Sequence, residues 1–247
     1  MNSFICWIGG KKLLRKDIIS NFPADVDRYI EVFGGAGWVL FGKEPHKLEV
    51  LNDIDGELIN LYRCIKYHPE ALQKEFEFML VSREQFYDTR DKNLKGLTDI
   101  QKAARYFYLI KISFGGNKDS FGTDRKNLIS AIEYLSEVTQ RLKNVVIENK
   151  DFSDLIKVYD RPNALFYCDP PYFMAEKYYA TEFSAEQHKQ LRHILGNIKG
   201  KFILSYNDCD FVRQLYKDFC IVEVERNHNF ATKEGGARYK ELIIKNY

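Results

Sequence analysis

The residues of this chain best suited to chemistry are Asp169-Pro170-Pro171-Tyr172. They follow the apolar run Ala164-Leu165-Phe166-Tyr167-Cys168, which reads as a buried parallel strand. A carboxylate, two rigid prolines and an aromatic ring therefore fall at a strand's C-terminal edge, where open α/β sheets build their sites. The chemistry they fit is activation of an amino group on an aromatic base. Such an amine attacks poorly because its lone pair is delocalised into the ring. A carboxylate (Asp169) and a backbone carbonyl (Pro170) that accept its two N–H bonds favour a pyramidal nitrogen and free the lone pair. Proline fixes the backbone that carries the carbonyl, and Tyr172 offers a face for a planar base to stack on. Taken alone, the tetrapeptide fits a Pro-Pro turn ending a strand, with Asp169 as a solvated cap, about as well.

The elements that must position this motif lie upstream. Tyr29-Ile30-Glu31-Val32-Phe33 reads as a short strand, Gly34-Gly35-Ala36-Gly37 as a turn, and a helix starts at Trp38. A strand, a glycine turn and a helix start make a nucleotide cradle. Counted from Gly35 and Gly37, the dinucleotide fingerprint puts Leu40 where its third glycine belongs, so a cofactor smaller than NAD is expected. Leu48-Glu49-Val50-Leu51 is a second strand that ends at Asn52-Asp53. An acid about 20 residues beyond the glycine turn is placed to hold two ribose hydroxyls. Asp53 could also cap the helix that starts near Gly56-Glu57, a role Asp55 fills equally well.

These motifs resemble the Dam-type N6-adenine DNA methyltransferases, alpha-type enzymes that use S-adenosylmethionine, and the resemblance runs nearly end to end. Trp7-Ile8-Gly9-Gly10-Lys11 is similar to the family's W-A-G-G-K. Residues 31–37 are similar to E-P-F-V-G-A-G, and Leu51-Asn52-Asp53-Ile54 to its A-D-I segment. Asp169 to Tyr172 matches D-P-P-Y without change. Val32 replaces the family proline and Gly34 a bulkier residue, and neither change removes a functional group. The resemblance implies that Trp7 and Lys11 lie over the cofactor and target pocket. It implies that Phe33 belongs to the cofactor site, that Gly35 and Gly37 allow close backbone approach to the cofactor's methionine part, and that Asp53 binds ribose. By the same resemblance Asp151 and Phe152, after the strand-like run Val145-Val146-Ile147-Glu148, pair with and cover the cofactor's adenine. Capping of the following helix is an equal reading of Asp151. Asp169 contributes to cofactor and target alike.

The net charge is only +2, so the placement of positive charge matters more than its total. Between residues 83 and 150 basic side chains interleave with aromatics, as a helical subdomain with solvated charge and an aromatic core would also show. The spacing over 101–114 predicts a helix with Ala104, Phe107 and Ile110 in the core. The segment 113–126 is different: rich in glycine and hydrogen-bonding side chains, it reads as a hairpin or loop that contacts DNA through Asn117, Lys118, Arg125 and Lys126. It matches the family hairpin poorly, so no recognition sequence carries over.

Further on, Ser184-Ala185-Glu186-Gln187 has the pattern of a capping box. Its helix carries His188 and His193, read as solvated. Lys201-Phe202-Ile203-Leu204-Ser205 is a strand ending at Tyr206-Asn207-Asp208, which could line the target pocket. Runs at 220–226 and 241–245 read as an antiparallel pair, and the linker 227–239 either closes over DNA or is a surface loop. The five cysteines lack metal or disulfide spacing and read as reduced, mostly buried thiols.

The expected fold is α/β, a Rossmann-like mixed sheet with helices on both faces. Residues 1–55 and 145–247 form the catalytic domain, and 56–144 a helical target-recognition subdomain. S-adenosylmethionine, with S-adenosylhomocysteine as product, is the expected cofactor, with no metal. Double-stranded DNA is the partner, with no membrane span or signal peptide, a cytoplasmic location and a monomer as the simplest assembly. Three other readings stay open at this level: an RNA-adenine, cytosine-N4 or protein-amide methyltransferase; a non-catalytic DNA-binding regulator; and roles in restriction-modification, replication marking or a phage genome.

Overall fold

The computed structural model describes residues 1–123, 127–173, 183–227 and 238–247. Seven strands are present among them: β1 (Arg28–Glu31), β2 (Leu48–Asn52), β3 (Val145–Glu148), β4 (Ala164–Cys168), β5 (Lys201–Asn207), β6 (Cys220–Asn227) and β7 (Arg238–Lys245). They form one sheet in the order β3-β2-β1-β4-β5-β7-β6. Strands β1 to β5 pair in parallel, whereas β7 runs antiparallel to both β5 and β6. The chain builds outward from β1 through β2 to β3, then returns to β4 on the other side of β1. The order therefore reverses between β1 and β4, and a crevice opens at the carboxyl ends of these two strands. Register pairs Glu31 with both Leu51 and Tyr167, so three strand ends lie level around that crevice.

The continuous apolar run in β4 follows from burial on both faces. Leu165 and Tyr167 enter one core, and Ala164, Phe166 and Cys168 enter the other. This alternation turns Cys168 away from the side that Tyr167 shares, as expected from the strand period. The second core is closed by α9 (Phe152–Tyr159), α10 (Ala185–Leu195) and α11 (Asp210–Leu215). The first is closed by α1 (Arg15–Ser20), α2 (Trp38–Gly42) and the helices between β2 and β3. Those are α3 (Gly56–Tyr67), α4 (Pro69–Glu75), α5 (Arg83–Asp91), α6 (Asp99–Ile112), α7 (Leu128–Glu133) and α8 (Leu135–Leu142).

Asp55 caps α3 by accepting from the amides of Glu57 and Leu58, and Ser184 and Gln187 form the capping box of α10. The inserted helices share one apolar core with the sheet and with Phe4 and Ile5 of the N-terminal segment. Arg141 of α8 adds an ion pair at 2.5 Å to Glu49 of β2, whose carboxylate also meets the buried Lys43. Among the described residues no helix is long and apolar enough to cross a membrane.

Two expectations need correction. His188 is not solvated: it is fully buried and hydrogen-bonded to the Tyr206 hydroxyl. It shares the inward stripe of α10 with Leu191 and Leu195, and that spacing outweighs the polarity of a lone imidazole. His193 is exposed as expected. Nor are most cysteines buried, since only Cys64 and Cys168 are, with Cys209 half-buried and Cys6 and Cys220 exposed.

Candidate active site

The glycine turn after β1 is shaped by two residues with left-handed backbone, Gly35 (φ 47°) and Gly37 (φ 65°). Only glycine adopts such angles without strain. A Cβ on Gly35 would also lie 2.7 Å from the indole nitrogen of Trp7, and one on Gly37 would lie 3.1 Å from the Tyr62 hydroxyl. The turn is tied to β2 by the Gly34 amide, which donates to the Asn52 carbonyl at 2.7 Å. Helix α2 is only five residues long, so the cradle is the backbone of the turn itself.

Asp53 stands at the end of β2. Its Oδ2 accepts from the Gly35 amide at 2.8 Å and its Oδ1 from the Asp55 amide at 2.9 Å. Burial pushes its pKa above the ordinary carboxylate value, while these backbone donors pull the other way. Asn52 joins three neighbouring segments. Its amide donates to the carbonyls of Val32 (2.9 Å) and Lys150 (3.1 Å), and its oxygen accepts from the Lys150 amide at 2.8 Å. That bolt fixes the approach to Asp151, which caps α9 by accepting from the Ser153 amide at 2.9 Å. Asp151 thus realises the capping role and still faces the cavity. Beside it, Phe33, Phe152 and Phe183 form a ring cluster with centroids 5.6–5.8 Å apart.

On the other side of the crevice, Asp169 leaves β4 and meets Lys11. The ammonium lies 2.7 Å from Oδ2 and 2.6 Å from Oδ1, and it also donates to the Gly9 carbonyl at 2.8 Å. Lys11 is 5% exposed and sits 4.7 Å from the centre of the Tyr172 ring. Ser205 of β5 donates to Asp169 Oδ1 at 2.9 Å. Burial raises the Asp169 pKa, Lys11 and Ser205 oppose that rise, and Glu241 adds to it. Pro170 is buried, and the Tyr172 hydroxyl donates to Glu241 Oε2 at 2.6 Å.

One cavity is lined by Trp7, Lys11, Phe33, Gly35, Gly37, Asp53, Asp151, Phe152 and Asp169 together. All nine residues expected at a cofactor thus converge on one place, although they come from five separate stretches of chain. Pro171 lines the same cavity, whereas Tyr172 does not. The model of the D12 class N6 adenine-specific DNA methyltransferases matches residues 7–230 of this chain. The chain belongs to that family.

Its relatives include the Type II methyltransferase M1.LlaDCHI of Lactococcus lactis subsp. cremoris, 29% identical over all of this chain and 96% of that protein. The Type II methyltransferase M.CviBI of Paramecium bursaria Chlorella virus NC1A is 28% identical over the whole of both chains. A DNA adenine methylase of Haemophilus influenzae is 24% identical over 97% of this chain and 92% of its own. This D12-class protein is therefore an adenine-specific DNA methyltransferase with a Rossmann-like sheet.

Some residues at the cavity carried no signal of their own, and Glu31 entered only as the first residue of a family motif. Glu31 lines the cavity as a buried carboxylate, accepting from the Tyr29 hydroxyl at 2.7 Å and the Leu40 amide at 2.9 Å. Phe183 reads as the residue before a cap, and Ser205 as the last residue of a strand. Only the fold brings them to the cavity wall and to Asp169. Of the segment 113–126, the described part turns back on itself through a Ser113–Phe121 bridge and a turn over Phe114–Gly116. The exposed Asn117 braces that turn by accepting from the amides of Asp119 (3.0 Å) and Ser120 (3.2 Å). The Lys118 ammonium points to the Tyr106 hydroxyl at 3.1 Å and lies 5.9 Å from the Trp7 ring. Arg125, Lys126 and positions 228–237 of the closing linker lie outside the described residues.

Proposed function

We propose that the chain takes its methyl group from S-adenosylmethionine and places it on the N6 amine of an adenine flipped out of double-stranded DNA. The residues of the cavity fit that cofactor. Gly35 lets the Trp7 indole close over the turn, since a Cβ there would lie 2.7 Å from its ring nitrogen, and Asp53 keeps acceptor capacity for ribose hydroxyls beyond its two backbone donors. The three phenylalanines suit a purine, and Glu31 and Asp169 suit a cationic group. When bound, the cofactor supplies an electrophilic methyl group on a sulfonium centre.

The observation that carries this reading is the position of Asp169, across the crevice from the glycine turn and pinned by Lys11. There the carboxylate and the Pro170 carbonyl accept the two N6 hydrogens and favour a pyramidal nitrogen. The base leaves the stack at a cost of a few kcal/mol. Tyr172 has Lys11 beside its ring and Tyr206 5.8 Å from it. Tyr172 therefore braces the motif, with its hydroxyl held by Glu241. Orientation of the amine contributes most of the rate. Phosphate contacts fall to the segment 113–126, whose sequence carries the cations Arg125 and Lys126.

The test is incubation with labelled S-adenosylmethionine and unmethylated genomic DNA, followed by nucleoside analysis. N6-methyladenine is the expected product. Asp169→Ala should abolish transfer while leaving DNA affinity within about twofold, because phosphate contacts that fix affinity lie elsewhere. Retained turnover in that variant would sink the assignment.

A further inference from the structure

We infer that Ser205, on the strand next to the motif and outside it, is a positioning residue that decides which oxygen of Asp169 receives the adenine amine. This inference rests on the proposed role of Asp169. Ser205 is 1% exposed, so no water competes for its hydroxyl. It has one proton, and two groups are within reach: Asp169 Oδ1 at 2.9 Å and the Tyr167 hydroxyl at 3.1 Å. An ionised carboxylate only accepts, so the Ser205 proton goes to Asp169. Tyr167 must then be the donor to Ser205. It keeps its own proton, because burial and the neighbouring carboxylates hold its pKa well above the ordinary phenol value. The result is a directed chain, Tyr167 to Ser205 to Asp169, whose first two members are buried, and in it each hydrogen bond polarises the next.

This chain makes the two carboxylate oxygens unequal. Oδ1 faces both the Ser205 hydroxyl and the Lys11 ammonium, while Oδ2 has the Lys11 hydrogen bond alone. Oδ2 is thus the oxygen with a lone pair left for an N–H donor. Without Ser205 the carboxylate can turn about its own axis under Lys11, and the amine meets two oxygens of equal standing. A small loss of orientation at the reacting nitrogen is enough to slow transfer strongly.

The experiment compares wild type, Ser205→Ala, Tyr167→Phe and the double variant, using labelled S-adenosylmethionine and duplex DNA. Ser205→Ala should lower kcat by about tenfold to a hundredfold. Its affinity for S-adenosylhomocysteine, read by calorimetry, and its melting temperature should stay near wild type. Tyr167→Phe should cost less, and the double variant should be no slower than Ser205→Ala, since Tyr167 acts only through the serine. The acid limb of kcat against pH should move to higher pH in Ser205→Ala, because a donor that favours the ionised form is gone. Lys11 of the N-terminal segment, Glu31 of β1, Glu241 of β7 and the Tyr167 and Tyr172 phenols face Asp169 and are unchanged in that variant.

Wild-type kcat in Ser205→Ala, or costs that simply add in the double variant, would overturn the inference while leaving the proposed reaction intact. Loss of S-adenosylhomocysteine binding along with kcat would also overturn it, by making the serine a structural prop. A wild-type protein that methylates no adenine would instead remove the reading beneath it.

Discussion

Glu31 carries a carboxyl that burial pushes up to about 8, only partly offset by the Tyr29 and Leu40 hydrogen bonds and by Lys43, with Asp169 adding to the rise. In the unfolded chain the same group titrates near 4.5. Between those two values the native state holds a proton that the unfolded state lacks, so stability falls as pH rises through the window. Below it the penalty is absent, and above it the penalty is complete. Glu31→Gln should therefore flatten the decline and be more stable than wild type at pH 8, by on the order of a few kcal/mol. Urea denaturation at pH 5 and pH 8, without cofactor, measures this, and parallel behaviour of the two proteins would refute it. The contrast with Asp169 shows where reading a sequence reaches its limit at this scale. Asp169 is marked by its neighbours in the chain, two prolines and an aromatic ring. Ser205 is marked only by what the fold packs around it, Tyr167 and the Asp169 carboxylate, and Glu31, though part of a family motif, reveals its burial only where Leu40 closes over it. Asp151 falls between: its capping bond to Ser153 was readable, but its place on the cavity wall depends on the Asn52 bolt.

The hairpin proposed to contact DNA makes its clearest prediction through Lys118. Among the described residues it alone has left-handed backbone without being glycine (φ 64°). Its amide is fixed by the Ser113 hydroxyl at 3.0 Å and its ammonium lies 4.3 Å from the Tyr106 ring centre. A cation engaged in this way is expected to stay within the protein when DNA binds. Lys118→Met should leave the salt dependence of DNA binding unchanged. Replacing Arg125 and Lys126 together by alanine should lower the slope of log affinity against log salt by about two. A slope reduced by Lys118→Met would return that residue to the DNA surface. The strands around the hairpin's domain were legible because apolar runs bounded by glycine, proline or aspartate mark strands locally. The 3-2-1-4-5-7-6 order was not, since it depends on which faces must be covered by helices far away in sequence. His188 shows the opposite case: its spacing from Leu191 and Leu195 was present in the chain, and the polar character of histidine obscured it.

Across the whole molecule, the helices between β2 and β3 do not close a core of their own. Leu58, Phe107 and Leu142 from the insertion share one apolar cluster with Tyr29, Leu165 and Ile243 of the sheet. Domains that share a core lose it together, so heat or denaturant should produce one cooperative transition seen alike by circular dichroism and tryptophan fluorescence. Two resolved transitions would show that the insertion is independently stable. The N-terminal segment reinforces this unity. Gly116 of the hairpin sits against Cys6, whose Cβ lies 3.1 Å from where its own would be, and Lys111 donates to the Phe4 carbonyl at 3.4 Å. The residues that lead into Trp7 are thus also the floor on which the 113–121 hairpin rests. For anyone wishing to give this enzyme a new target sequence, the unit to transplant is therefore not the interval between two strands. A graft of 56–144 alone would arrive without its floor, and a productive exchange must carry the first dozen residues of the donor along with it.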